Sequence, residues 1–113
     1  MKIDKSLITG STTMLILKLL EEKDMYGYEM IEELEKQSNN TFTLKAGTLY
    51  PILHTLEQKG ILISYEQQLE NSKIRKYYNI TKSGKLFLKE KCKEWDTYSG
   101  AVNQVLRGLS YAI

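Results

Sequence analysis

The hydrophobic positions of this chain keep a helical spacing, then alternate, then return to a helical spacing. Met14-Leu15-Ile16-Leu17-Lys18-Leu19-Leu20 is apolar nearly all round, so a helix from about Ser6 to Glu22 must be covered on more than one side. A second helix, Tyr26 to about Ser38, turns Met30, Ile31 and Leu34 inward and Glu29, Glu32, Glu33 and Glu35 to water. Asp24 is placed to cap it and Asn39-Asn40 to end it. Thr41 to Leu44 then leads, with Phe42 and Leu44 as anchors, into a third helix whose Leu49, Ile52, Leu53 and Leu56 share one face. Its other face carries Gly47, Tyr50, Pro51, His54 and Gln58, and Gly60 closes it as a C-cap. Beyond Gly60 the period becomes two: Ile61, Ile63 and Tyr65, then Ile74, Lys76, Tyr78 and Ile80, joined by a turn at Glu70-Asn71-Ser72. This predicts a two-stranded hairpin. Thr81 follows as the cap of a long helix, about Lys82 to Leu109, in which Gly84 and Gly100 are tolerated costs.

The last helix has its own pattern. Leu88, Trp95, Tyr98, Val102, Val105 and Leu109 form a narrow apolar seam, three-four spaced from Trp95 onward, of the kind that pairs with another helix. The seam could close on its own domain, but three helices and a hairpin already complete that core. Dimerisation through this helix and the over-apolar first helix, Leu15 included, is the more economical account. The fold class expected is mainly α with a small β-hairpin (α+β). Residues 1–81 form the hairpin-bearing domain with its N-terminal helix, and residues 82–113 form a C-terminal dimerisation helix.

Charge changes the picture through its distribution, since the net value is only +2 over 113 residues. Residues 1–40 hold eight acids against five bases, whereas residues 41–85 hold three acids against seven bases. Lys73, Arg75, Lys76, Lys82 and Lys85 run together with no acid among them, a footprint of phosphate size. One cysteine, Cys92, cannot make an internal bridge and reads as a small packing residue. With no apolar run near eighteen residues and no charged-then-apolar leader, the expectation is a reduced, cytoplasmic, soluble protein that does not engage a membrane. His54 is the sole histidine and has no cysteine or paired acid beside it, so no metal site, no cofactor and no enzyme chemistry is expected.

Helix, helix, helix, two-stranded wing is the order of a winged helix-turn-helix, whose third helix enters the major groove of double-stranded DNA while the wing crosses the backbone. Three motifs then stand out: Tyr26-Gly27-Tyr28-Glu29-Met30, the segment Gly47 to Gly60, and Arg75-Lys76-Tyr77-Tyr78-Asn79-Ile80-Thr81-Lys82-Ser83-Gly84. In this order and at these separations they resemble the PadR family of bacterial transcriptional regulators, in its short form with a single C-terminal helix. The resemblance implies a homodimeric repressor that binds a palindromic operator and leaves it when a small molecule binds. In multidrug-sensing short members a tryptophan of the C-terminal helix lines a flat apolar pore at the dimer interface, and Trp95 falls at the matching place.

Residue by residue, each assignment has an ordinary rival. Tyr50 can donate to a phosphate or simply pack, and Pro51 can offer its flat edge to a thymine methyl. Thr48 can meet a phosphate at the positive end of the helix or only cap it. His54 is a groove contact or a solvated side chain. Lys45, Lys73, Arg75 and Lys76 are the phosphate set, and of the adjacent Tyr77 and Tyr78 one packs under the wing while the other stays outside. Trp95 can stack on a planar aromatic ligand, gaining about 0.5–2 kcal/mol, with Met14 as apolar wall and Asp96 as counter-charge, or it can only fill the dimer seam. A reading of another class is a protein-interaction module that uses the Glu-rich second helix or the outer strand edge, with the basic wing incidental. Charge reversal at Arg75 and Lys76 separates the two, because only a DNA-binding protein would then weaken on every DNA sequence.

Overall fold

The computed structural model describes residues 3–108. Its elements in chain order are α1 (Lys5–Thr9), α2 (Thr12–Glu22), β1 (Met25–Tyr26), α3 (Gly27–Gln37), α4 (Ala46–Gln58), β2 (Leu62–Gln68), β3 (Ile74–Ile80) and α5 (Lys82–Arg107). The single first helix expected from Ser6 to Glu22 is therefore two. The break falls at Gly10-Ser11, where the Ser11 and Thr12 hydroxyls both donate to the Ile8 carbonyl at 3.0 Å. Side chains that satisfy a helix's last carbonyls compete with its continuation, and Gly10 adds a weak helix former at the same point.

Ile16, Leu17, Leu19 and Leu20 of α2 form the middle of the core, surrounded by Met30 and Leu34 of α3, Leu49, Leu53 and Leu56 of α4, and Leu62, Tyr78 and Ile80 of the sheet. The all-round apolar character of α2 is used inside one protomer, since α3, β3 and α5 all pack on it. Met14 and Leu15 are half-buried at its margin. Asp24 does not cap α3, whose first turn starts at Tyr26 with no side-chain cap. Its carboxylate instead accepts from the Tyr65 hydroxyl at 2.7 Å and from Asn79 Nδ2 at 2.8 Å, which ties the start of α3 to the wing. Asn39 and Asn40 end α3 with φ of 50° and 64°, and Phe42 and Leu44 pack on the core after them.

The wing has three strands, because Met25-Tyr26 pairs with β3 in the antiparallel order β1-β3-β2. A two-residue strand has too little alternation to be read from sequence. In β2 the apolar Ile63 and Tyr65 lie on the outer, exposed face, and the buried residue is Leu62, opposite Ile80. In β3 the adjacent tyrosines split as expected, with Tyr78 buried and Tyr77 on the outer face.

α4 ends in a Schellman arrangement: the Ile61 amide bonds the Leu56 carbonyl, and the amide of left-handed Gly60 bonds that of Glu57. Thr81 then starts α5. Its Oγ1 accepts from the Gly84 amide at 3.0 Å, while its hydroxyl proton is shared between the Gly60 and Ile61 carbonyls at 2.7 and 3.0 Å. Gly84 is not a tolerated cost. A Cβ there would strike the Ile61 carbonyl and come within 2.8 Å of Ile80 Cγ1. Leu88, expected on the dimer seam, is 2% exposed in the protomer's own core, because the first turns of α5 lie against α2. Past Cys92 the helix stands clear, and the molecule extends 64 Å along its longest axis. Leu109 lies outside the described residues.

Candidate nucleic-acid interface

α4 separates its faces cleanly. Leu49, Leu53 and Leu56 are buried, whereas Gly47, Thr48, Tyr50, Pro51, His54 and Gln58 are exposed. Lys45 is the N-cap residue by position, but its side chain makes no cap and stays exposed. Thr48 is not a cap either. Its amide bonds the Lys45 carbonyl within the first turn, and its exposed hydroxyl has no partner among the described residues. Pro51 has no amide to bond the Gly47 carbonyl within the helix. Tyr50 both packs and projects: it is 40% exposed, yet a Cβ on buried Gly27 would lie 2.7 Å from its Cζ. Only glycine at the start of α3 lets the phenol lie there.

The wing cations differ sharply in how far they are committed. Lys76 Nζ lies 3.6 Å from Glu57 of α4 and 5.5 Å from the Tyr78 ring centroid. Glu57 also accepts from the Ser64 hydroxyl at 2.7 Å, so one carboxylate fastens α4 to both long strands. The Arg75 side chain has no hydrogen bond or ion pair among the described residues, and its guanidinium lies 4.2 Å from the Tyr26 ring centroid. Lys73 is exposed at the wing turn, where its amide bonds Asn71 Oδ1. The Asp24 carboxylate beside the Tyr65 phenol holds that phenol above its usual range, and burial does the same to Tyr78.

Tyr50, Arg75 and Lys76 come together around one cleft of about 450 Å³, whose opposite wall is Tyr26, Gly27, Tyr28 and Glu32 of the β1–α3 corner. His54, Thr48, Lys45 and Lys73 do not line it. In the sequence Tyr26-Gly27-Tyr28 stands out as a motif but not as a wall of a cleft. The signal was an unusual run of two tyrosines around a glycine at a helix start.

A second cavity lies on the side of α4 away from Tyr50, and Pro51 of the exposed face is part of its lining. This groove, of about 1180 Å³, runs between α1, α2, α4 and α5 and is lined by Met14, Leu15, Pro51, Phe87, Trp95 and Tyr98 among others. The Trp95 and Tyr98 rings lie 6.3 Å apart. Asp96, expected as counter-charge, is exposed and not part of the wall; the carboxylate that lines the groove is Glu94, paired with Lys91 at 3.1 Å. The two residues from Glu94 to Asp96 turn the helix by about 200°, which takes Asp96 away from the groove. Tyr98, on the groove wall, and Val105 and Leu106 beyond it are strongly exposed among the described residues, and Val102 less so.

The transcriptional regulator PadR-like family matches residues 16–90. The chain belongs to that family. An uncharacterized protein of Lysinibacillus sphaericus is 36% identical over 107 residues, covering 95% of this chain and 98% of that protein. Among solved structures, a transcriptional regulator from Clostridium thermocellum superposes with a TM-score of 0.81 at 35% identity, covering 88% of this chain and 96% of its own. A PadR family transcriptional regulator from Eggerthella lenta gives 0.80 at 33% identity, covering 89% and 86%. This PadR-family chain is thus a winged-helix transcriptional regulator and not an enzyme. Among the described residues no helix is long and apolar enough to cross a membrane, and no group of three or more His, Cys, Asp or Glu could hold a metal ion. The family match ends before Trp95 and Tyr98, whereas Phe87 of the groove lies inside it.

Proposed function

We propose that this PadR-family regulator is a cytoplasmic homodimeric repressor that binds a palindromic operator in double-stranded DNA and leaves it when a planar aromatic molecule binds. The observation that carries the reading is the pairing of two unlike surfaces. One side of the protomer offers exposed, uncommitted polar and cationic groups on α4 and the wing. The other offers an uncovered apolar stripe on α5.

In this reading residues 1–81 are the DNA-binding part, with Thr48, Tyr50, Pro51 and His54 meeting the major groove and Lys45, Lys73, Arg75 and Lys76 meeting phosphates. Residues 82–113 supply the dimer helix, with Trp95, Tyr98, Val102 and Val105 on the seam and Leu15 beside it. A two-fold axis through α5 sets two half-sites about one helical turn apart. A planar ligand stacks on Trp95 beside Met14, gaining about 0.5–2 kcal/mol from the indole, and alters the separation of the two reading helices.

Four cationic contacts per protomer, eight per dimer, give a log–log salt slope of about −7 for operator binding. Anisotropy of a labelled promoter duplex across a KCl series tests this, and weak, salt-insensitive, sequence-blind binding would sink it. Titrating Trp95 fluorescence with planar aromatic dyes, and repeating dye-induced DNA release with Trp95→Ala, tests the sensor half. Unchanged release in the variant removes Trp95 from the mechanism.

A further inference from the structure

Arg75 is unusual among the wing cations because an aromatic scaffold, not a carboxylate, fixes it. Its guanidinium sits over Tyr26. Tyr26 meets Tyr77 edge-on, with ring centroids 5.6 Å apart and planes at 76°. Tyr77 stacks on Tyr65 at 5.8 Å and 14°, and the Tyr65 hydroxyl is held by Asp24, which also takes Asn79. The series runs from a carboxylate, through three rings contributed by three strands, to one cation. A guanidinium lying on a ring face keeps its in-plane N–H donors free at the edge, the geometry that grips a phosphate with two parallel bonds. Stacking also removes rotamer freedom before any ligand arrives, so less is lost on binding.

The cleft beside Arg75 has the chemistry to match. Tyr28 and Tyr50 supply phenols, Lys76 adds a second cation already partly neutralised by Glu57, and Glu32 is the one acid on the wall. We propose that this cleft is the seat of a single DNA backbone phosphate, gripped by Arg75 and bounded by Tyr28 and Tyr50. Tyr26 is the positioning residue that holds the guanidinium at the seat. The proposal rests on the DNA-binding reading above and assigns a function to the β1–α3 corner.

The test uses the full chain, a mixed-sequence DNA duplex and a series of KCl concentrations, since a phosphate contact is blind to sequence. Tyr26→Leu weakens binding about tenfold and flattens the salt slope by about 0.9 per protomer, because one phosphate contact is lost. Tyr26→Phe, which keeps the ring face, binds like the parent. In an Arg75→Ala background Tyr26→Leu has no further effect. Weakening with an unchanged slope, or an equal effect with and without Arg75, would mean that Tyr26 acts through general stability and would overturn the seat. Glu32→Gln, on an exposed side chain that is not part of the ring series, is an independent arm: it tightens binding about twofold or more by removing repulsion at the seat, and a neutral or weaker result counts against the proposal. If the parent protein shows no salt-dependent DNA binding, the DNA reading itself falls. If the parent binds with its slope and Tyr26→Leu matches it, only the seat falls.

Discussion

The two halves of α5 carry the same kind of apolar spacing and meet opposite fates. In the first half Gly84 is buried against Ile61 and Ile80, and Leu88 is buried where α5 packs on α2. In the second half Tyr98, Val102, Val105 and Leu106 stay exposed among the described residues, Tyr98 on the groove wall. Periodicity therefore tells which residues share a stripe, while the position of the stripe relative to the rest of the chain decides what covers it. One helix serves as core for about three turns and as exposed surface for the rest.

The largest expected difference between the halves is in folding. Leu88→Ala should cost about 2–5 kcal/mol of unfolding free energy, the range for a leucine removed from a close-packed core, measured by urea denaturation. A Leu88→Ala protein as stable as its parent would erase the distinction. In the second half Val105→Glu should leave helicity unchanged in circular dichroism but turn the proposed dimer into a monomer by light scattering. DNA affinity should then fall by about 10²-fold as the second half-site stops contributing. The two helix glycines give a matched pair. Gly84→Ala should destabilise by about 1–3 kcal/mol, since its methyl meets backbone. Gly100→Ala, with nothing within 4 Å, should stabilise by up to about 1 kcal/mol from helix propensity. Equal effects of the two would break the comparison.

The smallest effect is alkaline. Tyr78 and Tyr65 have phenols raised above the ordinary 10.0, so the folded state holds their protons more tightly than the unfolded chain does. Their contribution is fully present below about pH 10 and is lost as pH rises through the folded values, because the unfolded state then binds fewer protons. Thermal unfolding followed from neutral to strongly alkaline pH should show a flat limb and then a decline. That decline should be shallower in Tyr78→Phe and unchanged by Val105→Glu.

Most of the architecture was legible in the chain. The inward faces of α3 and α4, the stop at Asn39-Asn40, the Gly60 closure and the Thr81 cap all rest on interactions within a few residues, and sequence carries those directly. What was misread depended on contacts distant in sequence. Asp24 looks like a helix cap until Tyr65 and Asn79 arrive across the sheet, and β1 is too short to alternate. Leu88 looks like seam until α2 lies against it. At the interface the exposed residues of α4 were readable from its apolar spacing, but the commitment of Lys76 to Glu57 and of Arg75 to Tyr26 was not. Nothing in a one-dimensional pattern distinguishes a cation that has a partner from one that has none.

The Thr81 hydroxyl joins the closing turn of α4 to the opening turn of α5 through contacts of 2.7–3.0 Å. It therefore acts as the fulcrum of a long arm. At 1.5 Å per residue, α5 is about 39 Å long, so a tilt of about 5° at that joint sweeps its far end through about 3 Å. The reach of one short side chain thus fixes the angle between the reading helix and the arm, with a mechanical amplification set by helix length alone.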